Sequence, residues 1–228
     1  MERPPQEVRL LRHLLVLAFA VLIPIVVAGA FLLVATPTFA QLTATPLAAA
    51  PPDTIAAPLR SLLATNGYKA SLGATTVELW WVSGLAGGAQ GWGDVAEGTL
   101  VGAMRVTGAF KEIRGKTVNP GVYTLRFALQ PQNGDHLGAS PFREYLVISP
   151  AGADNDPKPL GFDGAVAISK QTTGASHPAA LSLDPPIATA APLASYTNEL
   201  DLKGIVFEIK SATGTLKFGL ILVGIIEH

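Results

Sequence analysis

The sequence predicts an all-β fold, an antiparallel β-sandwich preceded by an N-terminal hydrophobic helix. Three observations carry this. From Tyr68 onward apolar residues alternate with period two, the signature of half-buried strands. The alternating segments are separated by turns rich in Gly, Pro, Asn and Asp. An unbroken apolar run stands before them, at residues 14–35.

In chain order, "MERPPQEVRLLRH" carries Arg3, Arg9, Arg12 and His13 ahead of "LLVLAFAVLIPIVVAGAFLLVA", and no charge follows until Asp53. Basic residues before an apolar run orient the N-terminus to the cytoplasm and send the remainder outward. Residues 1–40 therefore read as a signal peptide or a transmembrane anchor. "TPTFA", ending at Ala40, offers small residues for cleavage, and a run of about 20 residues is also enough to span a bilayer. The expected location is the periplasm or the outer face of the cytoplasmic membrane.

Residues 41–58, "QLTATPLAAAPPDTIAAP", read as an Ala/Pro-rich linker, and 59–228 as the exported β-sandwich domain. "PLRSLLATNGY" suits a short helix with Pro58 in its first turn. Strands follow. "TTVELWWVS" sets Val77, Leu79 and Trp81 on one face, and residues 98–110 form the next strand. "GVYTLRFALQ" sets Tyr123, Leu125, Phe127 and Leu129 against Thr124 and Arg126. "FREYLVIS" and "HPAALSL" are two more, and "KGIVFEIK" turns through "SATG" into "TLKFGLILVGII" as a closing hairpin. Counting shorter pieces gives seven to nine strands, in a jelly-roll or immunoglobulin-like arrangement. "VNPGVY" has the Pro-Gly order of a type II turn. Residues 151–164 read as a long polar loop and 184–195 as an irregular crossover.

Composition excludes several functions. With no cysteine, there is no disulfide, thiolate nucleophile or Cys-type zinc site. A net charge of -1 without a basic cluster argues against nucleic acid as a partner. No G-x-S-x-G elbow occurs, and "GLAGGAQGWG" lacks the Lys-Ser/Thr ending of a phosphate loop. No catalytic residue is assigned.

Two groups can bind. Asp135 and His136, in "QPQNGDHLGAS", with His177 in "SHPAAL", would supply a two-His, one-carboxylate set for a divalent metal or another ligand if their loops meet. The bland alternative is a turn capped by Asp135 and two structural histidines. Trp80 and Trp92 are the aromatic candidates. Adjacent Trp80 and Trp81 face opposite ways on a strand, so one is expected at the surface, where it can stack on a sugar ring or a partner. The alternative covers Trp80 with the linker or short helix.

The stretches "PGVYTLRFALQPQNGDHLG", "REYLVISPAGADND" and "SHPAALSL" resemble a family of uncharacterised exported bacterial β-sandwich proteins, over most of the domain. The resemblance implies the sandwich and carries no activity. The expected function is a non-enzymatic exported module that binds a ligand or partner protein at the cell envelope. A membrane-anchored structural subunit of a larger complex is the alternative, with Ala28, Gly29 and Ala30 allowing close helix approach. A metal-dependent hydrolase built on the Asp/His set is the third reading.

Overall fold

A computed structural model describes residues 41–88, 91–134, 142–185 and 190–226. The expected N-terminal helix lies outside them, and among the described residues no helix is long and apolar enough to cross a membrane.

The domain is mostly antiparallel β, as the alternation predicts. Ten strands form one sheet: β1 (Thr43–Leu47), β2 (Gly67–Leu72), β3 (Thr75–Trp81), β4 (Leu100–Thr107), β7 (Gly121–Leu129), β8 (Glu144–Pro150), β9 (Ala180–Asp184), β10 (Ser195–Thr197), β11 (Lys203–Ser211) and β12 (Gly214–Val223). Their order is β1-β2-β3-β4-β7-β8-β9-β12-β11-β10, every pair antiparallel. The small hairpin β5 (Phe110–Lys111) with β6 (Thr117–Val118) stands apart. Two separate sheets were the expectation; instead the strands share one continuous ladder. Its last four strands lie in the order β9-β12-β11-β10, a Greek-key return.

The ladder curls until its arms meet. Trp81 on β3 touches Phe207 on β11 and Phe218 on β12, at 5.2 and 5.4 Å between ring centres. Tyr68 on β2 also reaches Phe207, at 5.5 Å. After β3 the chain crosses to β11, where the Leu85 N–H donates to the Lys210 carbonyl at 2.8 Å and Leu85 makes one parallel bridge with Ser211. That bridge ties the two arms together at one end.

The segment expected to be a spacer is part of the domain. Thr43–Leu47 pairs with β2, and Leu42 and Ile55 are buried. A short helix, α1 (Ala57–Arg60), starts with Pro58 as expected and buries Leu59. Proline permits this edge position, because Pro46 cannot donate to a further strand and so blunts the outer edge of β1.

The polar loop at 151–164 ends in a second helix that periodicity did not reveal, α2 (Gly161–Thr173). It packs on the outer face of β7 and β8, where Ala165 joins Ala128 and Val147. Two of its buried hydroxyls are satisfied: Thr172 donates to the Ile148 carbonyl at 2.6 Å, and the Ser169 hydroxyl lies 2.7 Å from that same oxygen. Gly174 ends the helix in the left-handed region, with φ 67°.

Candidate functional site

Period-two geometry sends alternate side chains of each strand into the curl. Leu79 and Trp81 enter from β3, Leu125 and Phe127 from β7, Phe207 from β11 and Phe218 from β12, and all are buried. A final indole comes from a loop. Residues 83–88 and 91–99 lie at one end of the curl, and the 3-10 turn Gly91–Asp94 inserts Trp92. Trp92 stacks on Phe127, with ring centres 5.1 Å apart and planes 11° from parallel. It meets Phe218 edge-on at 5.3 Å. Phe218 is thus the shared neighbour of Trp81 and Trp92.

Local sequence explains how this loop reaches inward. Gly87 has φ +89°, and a Cβ there would lie 2.4 Å from the Asp94 carbonyl oxygen. Only glycine tolerates both the backbone conformation and that approach. The Asp94 carboxylate then accepts the Gly88 N–H at 2.8 Å and closes the loop over Trp92.

The three indole N–H groups differ. Trp80 Nε1 donates to the Ala49 carbonyl at 2.7 Å. Trp81 Nε1 and Trp92 Nε1 are both buried and have no hydrogen-bond partner. Tryptophan is donor-only, and a sealed unpaired donor costs about 1–3 kcal/mol, so such atoms are uncommon in folded proteins.

Of the predicted site residues, Trp80 and Trp81 do face opposite sides of β3, but neither is at the surface, at 0% and 3% exposure. Trp80 is covered by the segment after β1, and the Arg105 guanidinium sits 5.8 Å from its ring centre. Trp92 is inside, at 8% exposure. A tryptophan platform open to solvent is therefore absent among the described residues. His177 is exposed, on the segment leading into β9. Asp135 and His136 lie outside the described residues. Among the described residues, no group of three His, Asp or Glu side chains is placed to hold a metal.

Two buried polar clusters escaped the sequence reading, and both lie on the outer face of the sheet. On β7, Arg126 is fully buried and donates twice to Asp154, Nε to Oδ2 at 2.7 Å and Nη2 to Oδ1 at 2.8 Å. Thr124 donates to the same carboxylate at 2.6 Å. The carbonyls of Gly98, Asp156 and Lys158 take the remaining guanidinium hydrogens. This pins the 151–160 loop, whose polarity is thereby explained. The signal was an arginine alternating into an otherwise apolar strand.

The second cluster is Asp184 on β9. Its Oδ2 accepts from the Tyr196 hydroxyl at 3.1 Å and from Asn198 Nδ2 at 3.0 Å, while Oδ1 is buried without a partner. Tyr196 lies across Gly204 and Gly219, where a Cβ would come within 2.6 and 2.1 Å of it. Burial pushes the Asp184 carboxyl above its ordinary value, against the pull of its two donors, and burial beside Asp184 pushes the Tyr196 phenol up.

No family model, curated protein or solved structure matches the chain.

Proposed function

We propose that the protein is a non-enzymatic exported binding module that takes its ligand inside the curved sheet, at the aromatic cluster around Phe218. The export rests on the charge and apolar pattern of residues 1–40. The two arms of the ladder then close over the ligand as the two layers of a sandwich would.

One observation carries the reading: two indole donors, Trp81 and Trp92, sealed in an apolar interior with nothing to donate to. Strand number supports it. About eight strands give a barrel whose side chains just fill it or leave room for one small ligand, and interior width grows with strand number. Here ten strands curl, and a side chain from a loop, Trp92, is buried against the strands. A loop-borne plug can be displaced without breaking the ladder. Catalysis draws no support from the interior, where no nucleophile–base pair stands among the described residues of the aromatic cluster.

A thermal-shift titration of the intact protein with ethylbenzene tests the reading. A ligand that binds only the folded domain raises its melting temperature, and the rise grows with the logarithm of ligand concentration above the dissociation constant. The expected result is a rise that grows with ethylbenzene concentration, larger in Trp92→Ala, where the plug is removed. No shift in either protein would overturn the interior as a binding site.

A further inference from the structure

We infer that the interior ligand is a neutral apolar molecule carrying a hydrogen-bond acceptor, a carbonyl oxygen above all, held by the Trp81 and Trp92 indole N–H groups; this rests on the interior being the binding site. The donors decide the polarity of the contact. Both Nε1–H groups are sealed without partners, although the indole rings themselves are well packed. An indole can only donate, so the missing group is an acceptor. Both rings lie against one ring, Phe218, within 5.4 Å of its centre. Phe218 is therefore the neighbour that the two indoles share.

Charge decides the rest. An anion entering the interior needs a counter-ion, because an unpaired charge is strongly disfavoured there. Among the described residues, the buried charges other than Asp184 on the outer face, whose Oδ1 is unpaired, are committed elsewhere. Arg126 is held by Asp154, and Glu112 by Arg114 and the backbone N–H groups of Lys116 and Ala180. The end of the curl nearest Trp92 carries both signs of charge, with Arg143 donating to the Gln130 carbonyl beside two carboxylates. Glu97 accepts the Leu129 N–H at 2.9 Å, and Glu144 pairs with Leu129 across β7 and β8. That end therefore favours neither sign, and an anion is disfavoured by the interior itself, where no cation stands among the described residues of the aromatic cluster. A cation would suit the aromatic rings. It would, however, face the positive ends of two N–H dipoles and leave both donors unpaired. A neutral carbonyl satisfies the donors and brings no uncompensated charge among the rings.

A pair of matched probes tests this: acetophenone and ethylbenzene, which share a ring and a two-carbon substituent and differ mainly in the carbonyl. Affinities are measured by calorimetry on the intact protein and on Trp81→Phe/Trp92→Phe, which keeps aromatic bulk and removes the two N–H groups. A net neutral hydrogen bond is worth about a 2- to 10-fold change in affinity. The inference predicts that acetophenone binds the unmodified protein several-fold more tightly than ethylbenzene. In the double variant that preference should vanish while ethylbenzene is little changed. Any general uptake by the apolar run at residues 14–35 is common to both proteins and cancels. Equal affinities for both probes in the unmodified protein would overturn the carbonyl assignment and leave the interior site standing. Saturable binding of neither probe would overturn the interior site and this inference with it. The unmodified protein alone decides between these outcomes, so a variant that folds poorly does not blunt the test.

Discussion

The two faces of one strand, β7, treat their polar neighbours in opposite ways. Outward, Arg126 and Thr124 meet Asp154 in a cluster where the carboxylate takes two donors from the guanidinium and one from the hydroxyl. Inward, Phe127 meets Trp92, whose indole N–H has no acceptor at all. Burial alone does not separate the two. Arg126 is more deeply buried than Trp92, at 0% against 8% exposure. What separates them is whether the donors are answered. A satisfied buried network is a fastener for the loop above it. An unsatisfied donor in an apolar space is a place where another molecule can contribute free energy.

The contrast can be broken from its fastened side. Asp154→Ala strips a fully buried guanidinium of its carboxylate and should cost about 3–5 kcal/mol in denaturant unfolding. Replacing both partners, as Arg126→Met with Asp154→Leu, should recover most of that loss, since the penalty comes from the stranded charge. If the single change costs under about 1 kcal/mol, the cluster is not a fastener.

A smaller effect is expected where Tyr196 lies across the sheet. In Gly219→Ala the new methyl would stand 2.1 Å from the Tyr196 hydroxyl and 3.1 Å from the Asp184 Cβ. Such overpacking costs about 1–3 kcal/mol. In a Tyr196→Ala background the cost should shrink, and a double-mutant cycle reads the difference.

The tryptophans sharpen the comparison further. Trp80→Phe breaks the bond to the Ala49 carbonyl, whereas Trp81→Phe breaks none. After similar losses of packing, the first should be more destabilising by about 1 kcal/mol. Equal costs would mean that the Trp81 N–H is answered within the fold.

The smallest effect concerns acidity. Burial raises the Asp184 carboxyl above its ordinary value of 3.8, so the folded state favours the protonated form. This group therefore supports folding most below pH of about 4, and its contribution is lost as pH rises through the folded-state value. Asp184→Asn should flatten that part of the stability–pH curve and be slightly the more stable form at neutral pH. An unchanged slope on urea melts at several pH values would contradict the assignment.

Strand periodicity made the inside legible. Trp81, Phe127, Phe207 and Phe218 all point where alternation sends them, and the closing hairpin of β11 and β12 follows its turn. The sequence was silent on features that depend on long-range neighbours. A proline-rich stretch reads as a spacer until Thr43–Leu47 finds β2 and Ala49 finds Trp80. Helix α2 hid because its buried face is made of Ala165, Val166, Ser169 and Thr172, too small and too polar for a clear 3.6 period. One curled ladder and two stacked sheets share the same alternation, so period alone could not choose between them. Surface stacking by tryptophan failed for a related reason: alternation tells which face a side chain takes, not what covers that face. The Asp135–His136 pair lies outside the described residues, and its role in a metal site stays a proposal together with His177.

The most direct test of the central claim is the indole N–H region of a nitrogen-15 correlation spectrum, recorded with and without acetophenone. Three signals are expected, one for each tryptophan. Trp80, already bonded to Ala49, serves as the internal reference. The account predicts that the Trp80 signal stays in place while those of Trp81 and Trp92 move downfield together and saturate at one ligand concentration. Movement of Trp80 alone, or of none of the three, would contradict it.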